Sequence, residues 1–254
     1  MTKQLTDALA GKVAVIAGGT GGIGYASAKR LAAAGARIVL LGRNAEKLTS
    51  LANELPGTGH GSVVVSVEDS NALELAVLKI QSSFGRVDIL VNSAGMTKAI
   101  PHRDLGALDD TLFDQIVVAN LRAPFATIRA FAPLLRANGD GLVVNISSIA
   151  ASNGLGSNVA YCAAKAGLDT MALALGRALS PEIRVINVSP GVVDTNFVPG
   201  RDSTFNEKQA ATTPLKRIGT VDDIAAAVEA CATTLRFVTG TTIQVDGGRH
   251  LGPV

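Results

Sequence analysis

Seven short runs rich in β-branched residues recur along the chain: VAVIA (13–17), RIVLL (37–41), VVVSV (63–67), VDILV (87–91), LVVNI (142–146), IRVINVS (183–189) and TTIQV (241–245). They are nearly continuous in apolar character rather than alternating, which is the pattern of strands buried on both faces. Between them lie Ala- and Leu-rich segments with helical spacing, at Gly24–Ala34, Asn71–Ser83, Asp109–Ala137, Val159–Leu179 and Val221–Thr233. Strand and helix in alternation predict an α/β fold, a doubly wound parallel sheet of seven strands with helices on both faces. No Pro- or Ser-rich linker and no long repeat interrupts the series, so residues 1–254 are expected to form a single domain. The least regular stretch, at about 193–213, follows a strand end and holds few apolar anchors. Ligands of open α/β sheets bind beyond the carboxyl ends of the strands, so this stretch is expected to cover a substrate.

Composition narrows the functional classes. The chain is 47% hydrophobic and 17% charged, enough for a large core and too apolar for long disordered tails. A net charge of +2 without a basic block leaves nucleic acid no electrostatic footprint. No apolar run reaches the ~18 residues that a membrane span requires. The first residues, MTKQLTDALAGK, show no apolar stretch followed by a small-residue cleavage site. Cys162 and Cys231 lie 69 positions apart and form no metal or redox motif, so both are expected as reduced thiols in a cytoplasmic protein. His60, His102 and His250 sit in loop contexts without ligand spacing, and no metal is assigned.

Chemistry enters at four places. In VAVIAGGTGGIGYASAK a strand runs into a helix through Gly18, Gly22 and Gly24. Glycines there allow a tight turn and bring backbone N–H groups and the helix dipole to a pyrophosphate, which predicts a dinucleotide site. After the second strand comes LLGRN, with Arg43 where a carboxylate would bind the ribose hydroxyls of NAD. A guanidinium suits a 2′-phosphate, so the sequence favours NADP, with NAD as the alternative. Third, YCAAK sets Tyr161 and Lys165 one helical turn apart on one face. A phenol ionises near pH ~10, and lowering that by about 3 units takes roughly 4 kcal/mol. One cation at ~4 Å in an effective dielectric of ~20 supplies about that much. Asn120 lies inside an apparent helix four residues before Pro124, which has no N–H to return to its carbonyl. That carbonyl is therefore expected to be free for a water.

Together GGTGGIG (18–24), NSAG (92–95), Asn120 in VVANL, NISS (145–148), YCAAK (161–165), SPG (189–191) and VDGG (245–248) resemble the compact branch of the short-chain dehydrogenase/reductase family over essentially the whole chain. The 13-residue interval from Ser148 to Tyr161 also matches that family's pattern. The resemblance implies a Rossmann-type fold and interconversion of a ketone and a secondary alcohol by hydride transfer with NADP(H). It implies Tyr161 as general acid/base, Lys165 as its partner and as a ligand of the nicotinamide ribose, Ser148 on the substrate oxygen, and Asn120 holding a water in a proton relay. For the cofactor it implies Thr20 and Ile23 beside the glycines, with Arg43, Asn44 and Val67 also in the cofactor set. Asn92, Ala94 and Gly95 would form the floor, Pro190 and Gly191 would flank the nicotinamide, and Val193 and Thr195 would lie near its carboxamide. It also implies a small-molecule carbonyl or alcohol substrate and a homodimer or homotetramer. The sequence departs from the family's habit at Ala17, where Thr is common, at Ser66, where Asp often contacts adenine, and at Gly21, where a basic residue often signals NADP. A cofactor-binding regulatory protein without turnover is the rival reading.

Overall fold

All seven β-branched runs form strands in the computed structural model, which describes residues 7–195, 197–198 and 203–252. Positions 196 and 199–202, inside the stretch expected to cover a substrate, lie outside the described residues. The strands are β1 (Val13–Ala17), β2 (Arg37–Gly42), β3 (Gly61–Val64), β4 (Ile89–Asn92), β5 (Gly141–Ile146), β6 (Ile183–Pro190) and β7 (Thr241–Val245). They make one parallel sheet in the order β3-β2-β1-β4-β5-β6-β7. The order reverses between β1 and β4, so the loops leaving these two strands diverge and open a crevice at the carboxyl edge.

The near-continuous apolar character of the strands is explained by two separate cores. On one face Ile16, Val91, Val144 and Ile186 pack under α1 (Gly22–Ala33) and α9 (Val221–Thr233) through Leu31, Ile224 and Val228. On the other, Val15, Leu90, Val143 and Val185 pack under α3 (Ser70–Phe84), α5 (Ala123–Arg136) and α7 (Val159–Ala178) through Ile80, Phe131 and Ala172.

Four departures from the sequence pattern have physical reasons. VVVSV was expected as a strand at 63–67, but β3 spans Gly61–Val64; at the sheet edge it pairs with β2 alone, and Val64 is exposed. Helix α2 (Ala45–Asn53) was not expected, because only Leu48 and Ala52 on it are buried, too few for a readable period. Helix α8 (Ser203–Thr212) sits within the stretch expected to be irregular, hidden by its polar composition. The segment Asp109–Ala137 is not one regular helix: α4 (Asp110–Val117) passes through a π turn at Val118–Arg122 into α5. Ala123 N–H bonds the Val118 carbonyl, and Pro124 offers no N–H to Asn120, so the ladder widens where the regular bond is chemically impossible.

Phe131 is fully buried at the centre of the second core. Phe131→Ala is expected to lower the free energy of unfolding by about 3–5 kcal/mol in chemical denaturation, without loss of the parallel sheet's circular-dichroism signature.

Candidate active site

The carboxyl edge of the sheet borders a cleft of about 1570 Å³. Its first wall is the turn between β1 and α1. Gly18 adopts φ +80°, and a Cβ on it would lie 2.6 Å from the Ala94 backbone nitrogen, so only glycine fits. The turn is tied to the end of β4 by the Ser93 hydroxyl, which donates to the Ala17 carbonyl at 2.8 Å. Ala17 has no side-chain hydroxyl of its own, and this cross-link comes from Ser93. Gly21 gives α1 no side-chain cap, so the first-turn N–H groups of Gly22, Ile23 and Gly24 are left for whatever enters the cleft, which these three residues line. Uncapped donors at a helix N-terminus beside a glycine cradle fit the pyrophosphate of a dinucleotide.

The opposite wall carries the titratable groups. Asn158, fully buried, caps α7: its side chain accepts the Tyr161 N–H at 2.8 Å and donates to the Lys98 carbonyl at 2.8 Å and to Thr97 Oγ1 at 3.2 Å. This cap fixes the first turn of α7 against the segment after β4, and Tyr161 with it. One turn on, Lys165 is 5% exposed; its ammonium donates to the Ile146 carbonyl at the end of β5 at 2.7 Å and stands 5.6 Å from the Tyr161 ring centroid. Burial pulls the ammonium down to about 8, opposed by the carboxylate of Asp169. Tyr161 is buried, with its ring 6.0 Å from that of Phe197. Ser148 follows β5, half-buried on the same cleft, and its hydroxyl accepts the Ala150 N–H at 3.2 Å. Asn120, in the π turn, donates from Nδ2 to the carbonyls of Met96 at 2.7 Å and Ile116 at 2.9 Å. Its Oδ1 is buried without a hydrogen-bond partner among the described residues. A Cβ at Gly95 would come within 2.6 Å of that oxygen, so glycine there makes room for Asn120. The wall thus holds a phenol, a desolvated cation and a hydroxyl along one cleft, a set suited to moving a proton to or from a substrate oxygen.

A profile described as enoyl-(acyl carrier protein) reductase matches residues 17–250. Over 249 residues the chain is 36% identical to a protein of Streptomyces violaceoruber named as ketoacyl reductase 2 of granaticin polyketide synthase, covering 97% of this chain and 99% of that one. It is 30% identical to the 3-oxoacyl-[acyl-carrier-protein] reductase FabG of Escherichia coli, over 95% of this chain and 98% of the relative. A solved short-chain dehydrogenase/reductase from Brucella melitensis superposes with a TM-score of 0.89 at 31% identity, over 96% of this chain and 98% of that one. The chain belongs to the short-chain dehydrogenase/reductase family. It is an oxidoreductase on a Rossmann-type, single-domain fold, and the cofactor of its family is NAD(P).

In this dehydrogenase/reductase the structure gathers most of the residues singled out in the sequence. Thr20, Gly22, Ile23, Gly24, Ala94, Gly95, Ser148, Tyr161 and Lys165 line the cleft, with Pro190, Gly191, Val193 and Thr195 on its β6 side. Gly18 shapes the turn from behind. Asn44 caps α2 by accepting Lys47 N–H at 2.9 Å, Val67 packs partly buried on the second core, and the polar atoms of Asn92 bond Asn145 and Thr127. Arg43 is exposed just past the end of β2 and forms no ion pair among the described residues. Among the described residues no three His, Cys, Asp or Glu side chains converge as metal ligands, and no helix is long and apolar enough to cross a membrane.

Sequence reasoning missed Asn158, Ser93, Lys47 and Arg249, all near or on the cleft. Asn158 carried a readable signal, an N-cap residue three before Tyr161. Arg249 carried none: it belongs to a turn after β7 that Asp246 braces by accepting the N–H groups of Gly248 at 2.9 Å and His250 at 2.8 Å. From there its guanidinium reaches back to the last turn of α8, donating to the Gln209 carbonyl at 2.9 Å, Gln209 Oε1 at 2.6 Å and Thr213 Oγ1 at 2.9 Å. A cation on the terminal carbonyls of a helix also meets the negative end of its dipole.

Two outcomes test this geometry. A lysine whose ammonium is pulled down from 10.5 to about 8 binds fewer protons folded than unfolded, so it weakens the fold below about pH 8 and ceases to do so as pH rises towards 10.5. The unfolding free energy of the wild type relative to Lys165→Met is therefore expected to improve by roughly 3 kcal/mol between pH 7 and 10.5, measured by urea denaturation. Arg249→Ala is expected to raise amide hydrogen exchange across α8 about tenfold, with exchange in the sheet unchanged.

Proposed function

We propose that this enzyme interconverts a ketone and a secondary alcohol with NADP(H), Tyr161 exchanging the proton with the substrate oxygen. The observation that carries the proposal is the buried Lys165 ammonium, fixed on the Ile146 carbonyl and facing the Tyr161 ring at the cleft wall that also holds Ser148. A cation so placed favours the phenolate and lets the phenol act near neutral pH. Ser148 orients the substrate oxygen towards Tyr161. Asn120 lends its carbonyl, which Pro124 leaves without a regular helical donor, to a water on the path of the proton. The bound nicotinamide supplies or accepts the hydride.

For the dinucleotide, the uncapped N–H groups of Gly22, Ile23 and Gly24 hold the pyrophosphate, and Lys165 the nicotinamide ribose. Arg43, exposed and without an ion pair among the described residues, takes the 2′-phosphate, with Lys47 a second cation on the cleft. Use of NADP(H) favours reduction as the working direction. That agrees with the names of two relatives, a ketoacyl reductase and a 3-oxoacyl-[acyl-carrier-protein] reductase. The stretch 193–213, which includes α8, covers the substrate. Phe113 and Phe125, exposed on α4 and α5, suit burial against a second copy in a homodimer or homotetramer.

Tyr161→Phe is expected to lower kcat for NADPH-driven ketone reduction by about 100- to 10,000-fold while NADPH fluorescence titration gives an unchanged Kd. Turnover that survives this change would remove Tyr161 from the chemistry. Arg43→Ala is expected to weaken NADPH binding about tenfold and leave NADH binding as it was. Equal effects on the two cofactors would refute the phosphate assignment.

A further inference from the structure

A row of buried side-chain hydrogen bonds crosses the sheet and ends beside Lys165. β4, β5 and β6 each place an asparagine at one level of the register, Asn92 opposite Asn145 and Asn145 opposite Asn187. All three are buried, on the face covered by α5 and α7. Asn92 Nδ2 donates to Asn145 Oδ1 at 2.9 Å, and Asn145 Nδ2 to Asn187 Oδ1 at 2.9 Å. Asn187 Nδ2 then donates to Asp169 Oδ1 at 2.8 Å and to the Leu168 carbonyl at 3.1 Å, both on α7. At the far end the Thr127 hydroxyl of α5 reaches Asn92 Oδ1 at 2.6 Å.

The direction of the row follows from donor and acceptor chemistry alone. A carboxylate and a carbonyl only accept, so Asn187 must turn its NH₂ to α7 and its oxygen to β5. That oxygen requires the Asn145 NH₂, which in turn fixes Asn92, whose oxygen requires the Thr127 O–H. Reversing any one amide would set two donors or two acceptors face to face. All three amides therefore aim their positive ends at Asp169. Three buried amides in strands that are otherwise apolar are not needed for a stable core, since well-packed apolar side chains would serve as well. What the row does specify is a carboxylate held in place one helical turn beyond Lys165.

Lys165 needs such a partner. Its ammonium has left water for the space between β5 and α7, where it meets the Ile146 carbonyl and the Tyr161 ring, both neutral. α7 packs against α4, α6 (Ala150–Asn153), the π turn, β6 and β7, whose charged residues are Asp110, Asp114, Arg122 and Arg184; Arg122 bonds the Glu68 carbonyl and Arg184 the carbonyls of Cys231, Leu235 and Val238, and the charge that favours the ammonium is that of Asp169. We propose that Asp169, held by the Thr127–Asn92–Asn145–Asn187 row, is a positioning residue that keeps the buried Lys165 in its ammonium form. Its catalytic meaning rests on the reading of Lys165 as the cation that serves Tyr161.

The test is an NMR titration of the lysine side chains in the full chain, with Lys165 assigned by its loss in Lys165→Met. Asp169→Asn, which keeps the shape and removes the charge, is expected to lower the Lys165 midpoint by about one unit, and Asp169→Glu to restore it. An Asp169→Asn midpoint equal to that of the wild type overturns the proposal. Should that variant fail to fold, Asn187→Ser, which cuts the row and leaves the carboxylate, is read in the same sense: a lowered midpoint supports the proposal and an unmoved one overturns it. The pH profile of kcat/KM in the same variants separates the two readings. If the NMR midpoint falls while the rate profile stays fixed, Asp169 keeps its assigned role and Lys165 loses its place in the chemistry of Tyr161.

Discussion

Taking an ammonium out of water is costly, and the carbonyl of Ile146 and the charge of Asp169 offset only part of the cost at Lys165, which is why burial still pulls it down to about 8. Much of the site can be understood as what must be true for that cation to stay where it is. β5 has to end at Ile146 with its carbonyl pointing at α7. α7 has to start at a fixed place, which Asn158 secures by capping its first turn and gripping the segment after β4. Tyr161, four residues before Lys165, then shares its face by helical geometry. In the proposed mechanism the same cation that weakens the fold at neutral pH is the group that makes a phenol useful there, a common trade between stability and activity.

The sheet supplies the frame. Because the strand order reverses between β1 and β4, the glycine turn, the Ser93–Gly95 segment, Ser148 and Pro190–Gly191 all leave neighbouring strands at one edge. A dinucleotide and a substrate can then share one cleft while the core on either side of the sheet remains apolar. Within that frame the glycine turn is tied to β4 by one side chain. Ala17 cannot brace the glycine turn, and Ser93 braces it instead.

Strands and long helices were legible because burial on both faces of a parallel sheet leaves continuous apolar runs, and helices covering a sheet keep one apolar stripe. Legibility failed where burial is slight. β3 has one neighbour, α2 buries two residues, and α8 is held by side-chain bonds to its last turn rather than by an apolar face. Of the candidate site, the Tyr161–Lys165 pair and the glycines stand out because their chemistry depends on spacing within one turn or one loop, whereas Ser148 was singled out only through the family resemblance. The row from Thr127 to Asp169 could not, since its members lie 35, 53, 42 and 18 positions apart and meet only through strand register. Arg249 was hidden for the same reason, its partners being 36 to 40 positions away.

If Lys165 draws the Tyr161 proton within reach of neutral chemistry, ionisation of that phenol must depend on the lysine. The chain has two tyrosines, so Tyr25→Phe leaves Tyr161 as the sole phenol. Following phenolate absorbance against pH in that background, with and without Lys165→Met, reads the effect directly. The phenolate is expected to rise at lower pH when Lys165 is present. Superimposable curves would contradict it.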